Sequence, residues 1–219
     1  MSRLYGPTHR ALQDQFDSRR MADTIETIAA KPELDEMASA FVASRDMVFL
    51  TTIDHHGRPT VSYKGGRPGF VKVLDPRTIA FPSYDGNGMY LSMGNIAQNP
   101  EVGLLFIDFE RPFRLRVQGR AELSEDASLL GQFKEAELVV RIAVTDVWMN
   151  CPRYVHRYTR VETSRYAPDE NAETPFCEWK RIDALKEALP AKDVPRAEMA
   201  GAITIEEWMG RVVEGARDV

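Results

Sequence analysis

The alternation of apolar and polar residues changes period along the chain and predicts a mainly β protein with flanking helices. Met47–Ile53 is a β-branched and aromatic run typical of a strand. Residues 113–123 alternate strictly, with Arg114, Arg116 and Gln118 on one face. Further strands are predicted at residues 60–64, 70–74, 78–81, 102–109 and 138–148. The turns at residues 54–58, 75–77 and 110–112 are too short for crossover helices, so the pattern indicates an antiparallel barrel.

Helical spacing predicts helices before, between and after these strands. One is expected near residues 9–27, a second over 33–44, and a short one over 93–98 with Ser92 as its N-cap. Others are expected from Ser124 to about residue 136, at Cys151–Tyr154, within 179–188, and after the capping box at Thr204–Glu207. We therefore expect a single domain overall, with an N-terminal helical segment (1–44), a barrel domain (45–163) and a C-terminal wrap and helix (164–219).

Composition narrows the class of partner. The 219 residues carry a net charge of -5, which argues against a nucleic-acid partner because phosphate backbones need a basic face. No apolar run approaches the roughly 20 residues that cross a bilayer, so no membrane partner is expected. Cys151 and Cys177 lack metal-ligand spacing and are expected to be reduced thiols in the cytoplasm. The adjacent His55 and His56 lie on a predicted turn, and no metal site is expected.

Two groups of polar residues suggest a phosphate-bearing ligand. Ser92, Gly94 and Asn95 open the short predicted helix, where backbone N–H groups and hydroxyls bind phosphate, and Lys64 could supply charge. The alternative, which these residues taken alone favour, is an ordinary helix start with Ser92 as its N-cap. Arg114 and Arg116 on one strand face are costly to cover without an anion, and one of them could bond the N1/O2 edge of an isoalloxazine ring. The alternative is an exposed face whose arginines pair with acidic neighbours such as Asp108 and Glu110.

Four segments carry a likeness that composition does not show: Pro59–Lys64, Thr78–Ser83, Ala97–Phe106 and Phe113–Gly119. Together they resemble the pyridoxamine 5′-phosphate oxidase-like family of FMN-binding split barrels. The resemblance implies a homodimer with two FMN molecules at the subunit interface. With Arg116 added from the strand pattern, the candidate cofactor-binding residues are Ser62, Tyr63, Lys64, Ser83, Ser92, Asn95, Arg114 and Arg116.

Two departures from the family pattern limit what the resemblance implies. The family's oxidases place a basic pair in the phosphate loop, where this chain has the neutral pair Leu91-Ser92. The tail of true pyridoxamine phosphate oxidases, with its tryptophan-glycine strand and Arg-Leu-His-Asp-Arg run, is missing after Tyr158. Oxidation of a vitamin B6 substrate is therefore not expected.

The function expected from the sequence is that of an FMN-dependent oxidoreductase of unknown substrate. Hydride would pass through flavin N5, with NAD(P)H as a candidate donor and a small molecule as substrate. Tyr63 and Tyr84 are candidates near the ring, and no catalytic residue is identified. The alternatives are an F420-dependent reductase on the same barrel, a flavin- or haem-type ligand-binding protein without turnover, and an empty dimeric scaffold. No G-x-S-x-G elbow, dinucleotide fingerprint or P-loop is present.

Overall fold

The structure, a computed structural model, describes residues 2–217. The chain divides into two compact units, Met1–Glu162 and Thr163–Val219. The first unit contains the sheet and the helices that precede or interrupt it. The second contains short helices only, within the residues described.

Seven strands occur within residues 2–217. Their bounds are β1 (Met47–Ile53), β2 (Pro59–Gly65), β3 (Lys72–Asp75), β4 (Thr78–Tyr84), β5 (Glu101–Asp108), β6 (Phe113–Ser124) and β7 (Ala136–Asn150). They form one antiparallel sheet in the order β2-β1-β5-β6-β7-β4-β3, which is not closed. The predicted mainly β, antiparallel class is confirmed, and each predicted strand is found within about three residues of its expected ends.

The register of the strands sorts their side chains onto two faces. Leu50 of β1, Leu104 of β5 and Val117 of β6 are paired neighbours and fully buried, and we call their side of the sheet the inner face. The residues between them point the other way, to the outer face, where Val61 is 67% exposed and Tyr63 is 62% exposed. The strict alternation predicted for β6 is confirmed, because its odd-numbered residues from 115 to 121 are buried and its even-numbered ones are exposed.

Helices flank the sheet of the first unit. They are α1 (Pro7–Gln15), α2 (Arg19–Ala29), α3 (Glu36–Ala43), α4 (Leu91–Gln98) and α5 (Ala127–Leu130). The single helix predicted near residues 9–27 is two helices, because the chain turns at Asp17 with φ of 47°. Helix α3 begins where the Asp35 carboxylate accepts a bond from the Ala38 N–H at 2.8 Å.

Two of the predicted helices were wrong in extent or existence. The helix expected from Ser124 to about residue 136 ends at Leu130, because the chain turns at Gly131 and Glu135 has φ of 60° before β7 begins. No helix starts at Cys151, since the chain there forms only a turn in which Tyr154 adopts φ of 81°.

The second unit is built from short helices. They are two 3-10 helices (Glu178–Arg181 and Asp183–Ala188), α6 (Val194–Ala200) and α7 (Ile205–Val213). Helix α7 confirms the predicted capping box, in which Thr204 and Glu207 satisfy each other's backbone N–H groups. Helix α6 was not predicted. A buried ion pair joins Lys180 to Asp193 at 2.8 Å and holds α6 against the first 3-10 helix.

Among residues 2–217, no helix combines the length and the apolar composition that spanning a bilayer requires.

Candidate functional site

A cavity of about 250 Å³ opens in the first unit between β2, the end of β4 and the start of α4. Four of the eight predicted cofactor-binding residues line it, namely Ser62, Lys64, Ser83 and Ser92. Residues far apart in sequence meet here because β2 pairs with β1, and α4 packs on the inner face across β1 and β6.

Three serine hydroxyls and one ammonium group lie in the lining of this cavity. Ser62 and Lys64 share the inner face of β2, because residues two apart on a strand point the same way. The Ser62 Oγ lies 3.1 Å from the Ser92 Oγ, so one hydroxyl donates to the other. Ser83 completes the polar lining from β4.

Lys64 is the charged group of the cavity. Its side chain is half-buried, and burial lowers the pKa of its ammonium group. Within residues 2–217 it forms neither a hydrogen bond nor an ion pair with any side chain. A half-buried ammonium group without a counterion is costly, and an anion in the cavity would offset that cost.

The start of α4 departs from the prediction. Tyr90, not Ser92, is the N-cap residue, with φ of 47° and ψ of 26° in the left-handed region. The Tyr90 side chain makes no cap hydrogen bond, and Ser92 lies within the first turn. The first turn of α4 contributes Leu91, Ser92 and Met93 to the cavity lining, and a helix N-terminus suits an anion.

Asn95 lies behind the cavity rather than in its lining. Its Nδ2 donates to the Thr52 Oγ1 at 2.9 Å and to the Thr60 Oγ1 at 3.2 Å, and those two hydroxyls are 2.9 Å apart. Asn95 and Thr52 are 7% and 1% exposed. Because Ser92 and Asn95 are one turn apart on α4, the two sets of bonds fix the helix start against β1 and β2.

The other three predicted residues lie on the outer face. Tyr63 packs its ring edge-on against Phe49, with centroids 6.1 Å apart. Arg114 donates from Nη2 to the Cys151 carbonyl at 3.0 Å, and its buried Nε has no partner in the described part of the chain. Arg116 is exposed between Leu105 and Trp148, which are its neighbours on β5 and β7.

The acidic partners suggested for the arginine pair bond elsewhere. Asp108 forms an ion pair with Arg45 at 2.9 Å and accepts two backbone N–H groups of its own turn. Arg116 instead borders an open groove of about 760 Å³ on the outer face, together with Thr51, Gln118 and Trp148. One copy of the chain therefore divides the predicted residues between two faces.

Several lining residues were not predicted from the sequence. The loop after β4 contributes Asn87, Gly88, Met89 and Tyr90, and α4 contributes Met93. Tyr84, named as a candidate near the ring, lines the cavity, whereas Tyr63 does not. The glycine, asparagine and aspartate at residues 85–88 predicted a loop, but they did not predict that this loop would line the cavity.

The family model for pyridoxamine 5′-phosphate oxidase matches residues 34–172, well over half of the chain. The chain belongs to the pyridoxamine 5′-phosphate oxidase family. The open antiparallel sheet with its flanking helices is the split-barrel fold of that family. A comparison with curated proteins finds no match.

Solved structures resemble the chain at low sequence identity. HupZ from Group A Streptococcus is 16% identical over 57% of this chain and 100% of its own, with a TM-score of 0.44. An FMN-binding protein from Syntrophomonas wolfei is 10% identical over 64% of this chain and 97% of its own, with a TM-score of 0.42. An F420 reductase is 18% identical over 48% of this chain and 92% of its own, with a TM-score of 0.38.

Proposed function

We propose that this protein is a flavin-dependent oxidoreductase whose cavity holds the phosphate end of the cofactor, with FMN as the first candidate and F420 as the alternative. The observation that carries the proposal is the half-buried Lys64, which has no counterion in residues 2–217 and lies beside three serine hydroxyls. Membership of the family suggests a flavin cofactor, and the cavity contains hydrogen-bond donors of the kind that bind a phosphate group.

The residues of the chain have distinct parts in this proposal. Lys64 and the hydroxyls of Ser62, Ser83 and Ser92 hold the phosphate, together with N–H groups of the first turn of α4. The bound flavin would supply hydride transfer through its N5 atom. The lining side chains in the described residues include no histidine and no carboxylate, so the proposal requires no acid or base from them. Their task is to orient the ring and exclude water.

The division of the candidate residues between two faces supports a homodimer. Arg114 and Arg116 cannot reach the cavity of their own copy, because they lie across the sheet from it. We propose that the outer face of each copy covers the cavity of the other. The exposed Val61 and Tyr63 would be buried by that contact. The reduced cysteines Cys151 and Cys177 suit the cytoplasm, which we include in the proposal.

The first experiment tests the cofactor site. Purified protein is titrated with FMN and with riboflavin, which lacks the phosphate, and flavin bands are followed through gel filtration. Lys64→Met should weaken FMN binding roughly 10- to 150-fold, the range for a lost charge-assisted bond, and leave riboflavin binding unchanged. Lys72→Met is the matched control, because Lys72 is also half-buried on a strand but does not line the cavity. Wild-type protein that binds no flavin would refute the proposal.

A second experiment tests whether each site needs two copies. Arg114→Ala alone should weaken FMN binding or lower the reduction potential of the bound flavin. When Lys64→Met and Arg114→Ala protein are mixed and allowed to exchange subunits, each mixed dimer should regain one intact site. Restored binding at up to half a flavin per chain in the mixed dimers supports the shared site. If the mixed dimers recover no flavin binding, then either Lys64 and Arg114 belong to the site of the same copy, or one of them lies outside the site.

Turnover is tested separately with NADH and NADPH as donors and a panel of acceptors. Repeated turnover supports an oxidoreductase, and reduction of less than one flavin per site indicates a binding protein.

A further inference from the structure

The second unit contains a cavity of its own, with a volume of about 320 Å³. It lies between the two 3-10 helices and α6, and all of its lining residues, from Lys180 to Ala202, belong to that unit. Small-molecule sites usually occupy roughly 300–1,000 Å³, so this cavity has room for a small ligand. Nothing in the proposed flavin chemistry uses it.

Ion pairing and hydrogen bonds hold the walls of this cavity together. The Ile203 N–H donates to the Arg181 carbonyl at 3.0 Å, and the Arg181 Nε donates to the Gly201 carbonyl at 2.8 Å. The ion pair between Lys180 and Asp193, which are 3% and 6% exposed, joins α6 to the first 3-10 helix. The cavity is therefore preformed, as small-molecule sites usually are.

Most of the lining is apolar. The described lining side chains include no hydroxyl and no amide, so an uncharged polar ligand would find no side-chain partner there. Burial of an apolar group against these walls is favourable, because it removes apolar surface from water on both sides. The apolar lining residues are Ile182, Leu189, Val194, Ala197 and Ala202.

Two of the four charged side chains in the lining lack partners. Lys180 and Arg181 are each held in an ion pair with an acidic residue of the same unit. The side chains of Lys186 and Glu198 form neither a hydrogen bond nor an ion pair within residues 2–217, with each other or with any other group. The lining thus presents one free ammonium group from the second 3-10 helix and one free carboxylate from α6.

We infer that this cavity binds a small zwitterion with an apolar side chain, that is, an apolar α-amino acid such as leucine. The ligand carboxylate pairs with Lys186, the ligand ammonium group pairs with Glu198, and the ligand side chain packs on the apolar walls. Burial of that side chain supplies most of the affinity, because ion pairs at an exposed rim are weak. The two charges supply selectivity, since a fatty acid would face Glu198 and an alkylamine would face Lys186 with charges of the same sign.

The test compares L-leucine with two analogues that each lack one charged group. The analogue 4-methylpentanoate lacks the ammonium group, and 3-methylbutylamine lacks the carboxylate. Dissociation constants are measured by isothermal titration calorimetry on the full-length protein at pH 7. We expect each analogue to bind about fivefold more weakly than leucine, which corresponds to the loss of one solvent-exposed ion pair. Leucine should also slow hydrogen exchange in peptides from residues 178–202.

Two charge variants test the assignment of each group. Lys186→Met should bind leucine no more tightly than 3-methylbutylamine, because the ligand carboxylate has lost its partner. Glu198→Gln should bind leucine no more tightly than 4-methylpentanoate. Glu187→Gln is the matched control, because Glu187 is exposed on the same 3-10 helix as Lys186 but lies outside the lining. All three changes are at exposed side chains and should leave the fold intact.

A cavity-filling variant tests the location. Ala197→Leu should abolish leucine binding, whereas Ala200→Leu, on the exposed side of the same helix and outside the lining, should bind leucine as the wild type does.

Three outcomes would overturn the inference. Either analogue could bind wild-type protein as tightly as leucine, which would exclude a zwitterion site. Leucine could fail to bind, or Ala197→Leu could bind it as tightly as the wild type, and the cavity would then hold no amino acid. The proposed flavin site would stand in each case, because its lining residues all belong to the first unit.

Discussion

Asn95→Ala provides the sharpest test of how the cavity is built. Asn95 donates to the hydroxyls of Thr52 and Thr60 and does not line the cavity, so its role is to position the start of α4. Each hydrogen bond contributes about 0.5–1.5 kcal/mol, so the two bonds are worth about 1–3 kcal/mol. The void left by the amide adds roughly 1 kcal/mol. We therefore expect Asn95→Ala to lower the free energy of unfolding of the first unit by about 2–4 kcal/mol.

The measurement must follow the first unit separately from the second. Urea unfolding monitored by circular dichroism gives the overall midpoint, and hydrogen exchange of peptides from residues 47–65 and 91–98 reports the unit that contains Asn95. Gln98→Ala is the matched control, because Gln98 is exposed on the same helix and should change stability by no more than about 0.5 kcal/mol. In a double-mutant cycle with Thr60→Val, the two changes should be strongly non-additive.

Flavin binding distinguishes a positioning role from direct contact. Displacement of α4 should weaken the binding of both flavins, because both place the ring in the cavity. FMN should lose further affinity than riboflavin, because its phosphate also binds near α4. If Asn95→Ala instead left stability at the wild-type value and weakened FMN binding alone, Asn95 would be a phosphate ligand. The hydrogen bonds from Asn95 to Thr52 and Thr60 would then not position α4.

Three further changes test the fold. A Cβ at Gly119 would lie 2.5 Å from a backbone oxygen of β7, so Gly119→Ala should cost about 1–3 kcal/mol in thermal unfolding, whereas Gly103→Ala, with its nearest atom 3.9 Å away, should cost little. Equal melting temperatures would contradict this. Hydrogen bonds from the backbone and side chain of Arg58 lower the pKa of Asp54 to about 2. Because its unfolded pKa is about 3.9, the stability it contributes is present above pH 4 and is lost as the pH falls toward 2. Asp54→Asn should flatten the acid dependence of unfolding in that window, and an unchanged profile would refute the role. Thr204→Ala should cost about 1 kcal/mol and speed hydrogen exchange in α7, and unchanged exchange would argue against the capping box.

The strands were predictable because their alternation is set by burial on one face. In β6, Leu115 and Val117 point into the core while Arg116 faces away, and the pattern of apolar and charged residues shows this directly. Helices were predicted less well, since their ends depend on single backbone torsions. The left-handed conformation of Tyr90 makes it the N-cap of α4, two residues before the predicted N-cap Ser92, and a tyrosine gives no sign of this.

The candidate site was predictable only in part. Ser62, Tyr63 and Lys64 were named together from the family resemblance, but the period of two along β2 puts Tyr63 on the opposite face from the other two. Thr52 and Thr60 read as ordinary strand residues, and only their pairing across β1 and β2 reveals a buried hydroxyl network.

The pairing of β2 with β1 makes the chemistry of the cavity depend on the length of a distant turn. Residues 54–58 connect the two strands, and Gly57 adopts φ of 77° there. Deleting or inserting one residue in this turn would shift β2 by one position against its partner, so that its two faces exchange side chains. Tyr63 would then enter the cavity, while Ser62 and Lys64 would point outward. A hairpin more than 10 Å along the strand from Lys64, by the usual rise per residue, thus decides whether the pocket is charged.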